Sequence, residues 1–153
     1  MAGDERATLG QFMNLACFQY LRVGTEEVAG RAPIVAAGRK RGYDLVESLG
    51  LLGTTQDAAT IQRTLAAALG ADGTRLCVVN SIAPSDSGGY TVHIREGACT
   101  TGQESSEPLC AFTMGVFVGA LHGITGAQMR GTESVCSACG AEACVYQIEP
   151  VTF

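Results

Sequence analysis

The 153-residue sequence has no tryptophan, only two histidines and few charges, and the charges it has lean acidic, with 15 Asp and Glu against 10 Lys and Arg. A net charge of −5 and a pI near 4.9 are the wrong sign for a nucleic-acid groove or an anionic membrane surface, so neither is an expected partner. No run approaches the roughly twenty apolar residues of a membrane span. The longest apolar stretch, residues 109–124, is broken by Thr113, His122 and three glycines, and it predicts a buried core helix. No apolar segment follows the polar residues 1–6, so no secretory signal is expected and the chain reads as cytoplasmic. A G-x-G-x-x-G after a strand and a P-loop are both missing, which leaves a nucleotide or a hydride donor without its phosphate cradle.

What is present suits one domain with one core, 46% hydrophobic. Apolar residues at Leu9, Phe12, Met13, Ala16 and Tyr20 predict a helix over 9–21. A second helix is expected over 32–49, opened by Pro33 and stopped by Gly50, and a third over 56–69 behind a Thr54-x-x-Asp57 cap. Gly38 and Gly42 inside the second helix each cost about 1 kcal/mol against alanine, which implies a backbone or a ligand pressed on that stripe. Strands are expected over 75–83 and 90–96, joined as a hairpin, and over 127–135 and 143–151 after the helix 109–123. Gly115, Gly119 and Gly123 form a second small-residue stripe on that helix, read as letting it lie close to the sheet. The order ααα-ββ-α-ββ predicts an α+β fold with an antiparallel sheet, a helical part over 1–70 and a sheet and metal-site part over 74–151.

Seven cysteines are many for a cytosolic chain, and the odd count favours thiolates used as ligands over a closed disulfide set. Glu133, Cys136, Cys139 and Cys144 fall within twelve residues between two strands. Cys136-x2-Cys139 is a knuckle of the zinc or redox kind, and spacing alone does not choose its partners. An iron-sulfur cluster on Cys110, Cys136, Cys139 and Cys144 is the competing metal reading, and cysteines packed as small hydrophobes are the plain one.

Cys136-x-Ala138-x-Gly140-x3-Cys144, the alternating strand after it and the glycine-dotted helix opening at Cys110 resemble a 4-vinyl reductase domain. The match is strong over 107–150 and weaker over 36–50. That family shares a superfamily with haem-nitric-oxide sensor domains and TRAPP subunits. The resemblance implies a dimeric α/β domain around an apolar cavity. It also implies, by position, a structural zinc on Cys110, Glu133, Cys136 and Cys144, with Cys139 left out.

Three functions follow as expectations. The first is a module that binds or senses a small apolar, aromatic or tetrapyrrole-like molecule in a pocket formed by Tyr90, Val92, Phe112, Met114, Gly115, Val118 and Gly119, signalling through a separate partner protein. The second is an enzyme or accessory factor in tetrapyrrole vinyl-group reduction, and the third a homodimeric scaffold. Cys17, Cys77 and Cys99 read as packing or surface residues. His93 belongs to the polar face of its strand, and His122 to the end of its helix. The run Arg39, Lys40, Arg41 reads as a solvated helix face.

Overall fold

Helix α1, Leu15–Ala29, ends where Gly30 takes a left-handed φ of +84° that an L side chain rarely adopts. The computed structural model describes residues 15–152, so residues 9–14 of the expected first helix lie outside the described residues. The helix runs eight residues beyond the expected end at residue 21, because 22–29 hold no proline and one glycine, and the stop is Gly30. Helix α2, Ala32–Ser48, carries Pro33 in its first turn, where the missing N–H is harmless. Helix α3, Ala58–Leu69, is capped by Asp57, whose Oδ1 accepts a hydrogen bond from Thr60 N at 2.7 Å. That bond holds the Asp57 carboxyl below the usual range.

The strands are β1 (Val78–Pro84), β2 (Tyr90–Arg95), β3 (Met129–Val135) and β4 (Cys144–Pro150), with helix α4 (Ala111–Thr125) between β2 and β3. They form one antiparallel sheet in the order β1-β2-β4-β3. The α+β architecture and the β1–β2 hairpin match the sequence expectation; the placement of β4 inside the sheet is a tertiary fact that periodicity does not carry. On β2, Val92 and Ile94 are fully buried while Thr91 and His93 are half-buried on the other face. At the outer edge, Gln62 of α3 accepts from Ile82 N at 3.0 Å and donates to Asn80 O, so its amide stands where a further strand would pair with β1.

The core lies between α4 and the sheet, with Phe117, Leu121, Ile124, Tyr146 and Ile148 fully buried. Almost every residue of α4 is buried, because one side meets the sheet and the other meets α2. The two glycine stripes are the two sides of this helix contact. A Cβ on Gly38 would lie 3.0 Å from Gly115 Cα and collide with Phe112 O, and one on Gly119 would collide with the Arg39 carbonyl. Gly115 and Gly119 therefore face α2, and two expectations are corrected: the stripe does not serve the sheet, and it does not hollow out a pocket toward β2. Gly123 belongs to the same side, against Val46 and Leu52.

Candidate functional site

Cys110 immediately precedes α4, Cys136 ends the β3 side of a connection, and Cys144 opens β4. The connection is tight: Cys139 N bonds Cys136 O, Gly140 N bonds Ser137 O, and Gly140 at φ +101° completes a single 3₁₀ turn, Ser137–Cys139. This reversal brings three buried sulfurs together, with the Sγ atoms of Cys110, Cys136 and Cys144 all within 4.8 Å of one another. Cys139 is exposed, outside the group.

The three thiols do not share one environment. Cys110 Sγ donates to Cys144 Sγ at 3.3 Å, while Ser137 N and Ser137 Oγ each lie 3.2 Å from the Cys144 sulfur. Donors converging on one sulfur favour its anion, so Cys144 is drawn down to about 5, chiefly by the Cys110 thiol and further by Ser137 and Thr100. The same hydrogen bond, with burial, pushes Cys110 up. The pair shares its proton and titrates as a unit. Burial raises Cys77 to about 12 and keeps Cys99 a thiol; the Cys99 sulfur lies 3.3 Å from Thr113 Oγ1. Tyr146 Oη is buried beside the sulfurs without a hydrogen-bond partner among the described residues, and burial together with the charge at Cys110 raises it strongly.

The Glu133 side chain is 2% exposed but is not one of the gathered donors. Its Oε2 accepts from Cys110 N at 3.0 Å, and its Oε1 pairs with Arg31 Nη2. Arg31, at the N-terminus of α2, also donates to Pro108 O at 2.9 Å. One guanidinium thus ties α2, the strap before α4 and β3 around the cysteine group. Nothing in the sequence announced Arg31, because its partner is 102 positions away.

Above Glu133 opens a cleft of about 500 Å³ lined by Arg31, Glu107, Pro108, Met114, Gly131, Thr132 and Glu133. Gly131 leaves room here, since a Cβ on it would come within 2.8 Å of Val118 Cγ2 and 3.1 Å of Met114 Sδ. Of the pocket residues read from the sequence, Met114 lines this cleft, and Val118 lies beneath it. Val92 is fully buried in the core, and Tyr90 and Phe112 are partly buried against it. His93 Nδ1 lies 3.3 Å from Ser81 Oγ, and the His122 ring packs on Tyr43 at 5.3 Å; neither reaches the cysteines or the cleft. Lys40 pairs with Asp44 along the exposed side of α2.

Residues 90–150 match the family model of the 4-vinyl reductase domain. The fold also matches solved structures. The phenol-responsive sensory domain of the transcription activator PoxR with phenol aligns over 90% of this chain and 75% of its own, with a TM-score of 0.70 and 14% identity. A vinyl-4-reductase family protein from Methanocaldococcus jannaschii aligns over 99% and 90%, with a TM-score of 0.64 and 14% identity. A trafficking protein particle complex subunit 3 from Naegleria fowleri, covalently bound to palmitic acid, aligns over 91% and 93%, with a TM-score of 0.63 and 14% identity. H-NOX proteins share the fold. No curated protein sequence matches the chain. Among the described residues no helix is long and apolar enough to cross a membrane.

Proposed function

With residues 90–150 matching the 4-vinyl reductase domain, we propose that the chain is a small-molecule binding or sensor module in which a structural zinc ion fastens the floor of an apolar cleft. The observation that carries this reading is the adjacency of the two features: Glu133 touches the cysteine group through Cys110 N and is at the same time a wall of the cleft. Cys110, Cys136 and Cys144 offer three thiolates, and Glu133 is the fourth donor at hand. A closed S₃O set leaves no position for an activated water, and it would pin α4 to the β3–β4 turn. Tyr146 Oη is placed to donate to a metal-bound sulfur, which supports the choice of a thiolate-rich ion over plain packing.

The cleft suits an apolar or aromatic guest, since Met114, Pro108 and Gly131 form its base and Arg31, Thr132 and Glu133 its polar rim. The likeness to a phenol-responsive sensory domain and to a palmitate-bearing subunit supports a guest of that class. We also read the chain as a homodimer acting in the cytoplasm and signalling through a separate protein. Tyr20, Leu21 and Val28, all strongly exposed on α1, provide an apolar face for such a contact.

The test is calorimetric titration of the zinc-loaded protein with phenol, repeated on Thr132→Phe, which fills the cleft from an exposed position. Saturable binding lost in the variant supports the reading. Binding of equal strength in both, or none in either, overturns it. Visible absorbance and iron in the purified protein would instead favour the cluster.

A further inference from the structure

Arg22 is 2% exposed, yet only one of its three guanidinium nitrogens is engaged among the described residues. Its Nη1 donates to Glu26 Oε2 at 3.0 Å, one helical turn along α1. Its Nε and Nη2 are shut off from solvent and have no hydrogen-bond partner among the described residues. These two atoms are not an arbitrary pair. They form one edge of the planar group, with parallel N–H bonds at the spacing of the two oxygens of a carboxylate, the arrangement in which arginine binds carboxylates bidentately. Nearly all buried donors in folded proteins are paired, so two adjacent orphans on one cation mark a place built for something else.

The surroundings narrow what that partner is. Gln19, one turn before Arg22, is itself buried, and it is fully used: its amide nitrogen bonds Ala98 O and Thr101 O, and its oxygen accepts from Gln103. This lock fixes α1 against the loop 97–103 and holds the Arg22 side chain on the same side of the helix. Cys99, whose titration is coupled to Arg22, is kept a neutral thiol by burial and offers no anion. Phe18, four residues before Arg22 and so on the same helix face, packs edge-on against Phe112 of α4 at 5.6 Å. A cationic fork thus adjoins an aromatic pair, under a helix tied down by one glutamine.

We propose that the Nε/Nη2 edge of Arg22 is a binding site for the carboxylate of an amphipathic small molecule, an aromatic or fatty monocarboxylate, held between α1 and the loop 97–103 with its apolar part toward Phe18 and Phe112. The guanidinium then bridges two carboxylates, that of Glu26 on Nη1 and that of the ligand on the opposite edge. The site is separate from the cleft at Met114 and Glu133, so it stands or falls independently of the small-molecule reading given above.

The experiment titrates the zinc-loaded full chain with benzoate and octanoate, and with their neutral counterparts benzyl alcohol and octan-1-ol. The expected result is at least tenfold tighter binding of one or both carboxylates than of the matching alcohol. Thr132→Phe leaves this preference intact, and Arg22→Lys, which keeps the charge and loses the fork, reduces it to about twofold. Because a variant at a buried arginine can fail to fold, the wild type supplies a second readout: one arginine Nε–H resonance shifts and exchanges more slowly with solvent on adding the carboxylate and not the alcohol. Equal affinity for acid and alcohol, or a preference abolished by Thr132→Phe, overturns the Arg22 site while leaving the cleft. Binding of neither carboxylate, with the Nε–H resonance unmoved, also overturns it and identifies the Arg22 edge as a water-filled structural feature.

Discussion

Gly42 of α2 and Val116 of α4 are in backbone contact: a Cβ on Gly42 would collide with the Val116 carbonyl and lie 2.8 Å from Ala120 N. Gly38, Gly115 and Gly119 extend the contact, so the two helices approach more closely than side chains permit. Neither backbone can yield without the other. Gly42→Ala is therefore expected to destabilise by about 3 kcal/mol or more, at the upper end for overpacking. Gly24 in α1 has nothing within 4 Å of a Cβ, and Gly24→Ala is expected to stabilise by about 0.5–1 kcal/mol. Urea midpoints of the two variants check the pair, and shifts of the same sign would refute the assignment of the stripe.

Removing one gathered thiol should remove the ion. Cys136→Ser and Cys144→Ser are expected to purify with less than a tenth of the wild-type zinc, while Cys139→Ser, changed at an exposed sulfur outside the group, keeps one zinc per chain. Elemental analysis reads the outcome. In the wild type, a strong chelator should lower the melting temperature, because metal affinity is also folding free energy.

The metal-free protein should carry one thiolate at neutral pH. Cys144 lies near 5 against 9.0 for an ordinary thiol, through the hydrogen bond from Cys110. A folded-state value below the unfolded one contributes stability that is complete above pH 9 and is lost as pH falls toward 5. Cys110, shifted upward, acts only above pH 9 and in the opposite direction. Thiolate absorbance in the ultraviolet should thus fall on acidification from neutral pH through the Cys144 value near 5, and be missing in Cys144→Ser. A flat profile across that range would contradict the donor arrangement around Cys144.

The Arg31 side chain is 42% exposed while that of Glu133 is buried, so solvent screens the pair from one side and its removal costs little in charge. Arg31→Gln is expected to lower stability by about 1 kcal/mol or less. The larger effect falls on Glu133, whose carboxylate loses the cation that holds it over Cys110. Zinc should then dissociate at least a few-fold faster than from the wild type, read with a colorimetric chelator; an unchanged rate would separate Arg31 from the metal site.

Element identities were legible where local chemistry decides them. Pro33, Asp57 and Gly126 mark helix ends, and the alternation through Tyr90–Arg95 marks a half-buried strand. The cysteine group was legible because two of its members flank one turn. What the sequence could not carry was pairing at long range. Both glycine stripes were visible as stripes, yet four-residue spacing says only that something comes close, and α4 has a sheet on one side and α2 on the other. The role of Glu133 as the seat of Arg31, and the orphaned edge of Arg22, depend on contacts between segments that no local pattern relates.

The amide of Gln62, set at Ile82 N and Asn80 O, bears on assembly. An exposed outer strand is a template on which another chain's strand can add, the usual route to misassociation of open sheets. Here a side chain from α3 satisfies the middle of β1 in the manner of a neighbouring backbone, and a strand arriving from another molecule finds those groups taken. Growth of the sheet is thereby directed away from β1, and a Gln62→Ala chain would turn its first strand into an adhesive rim.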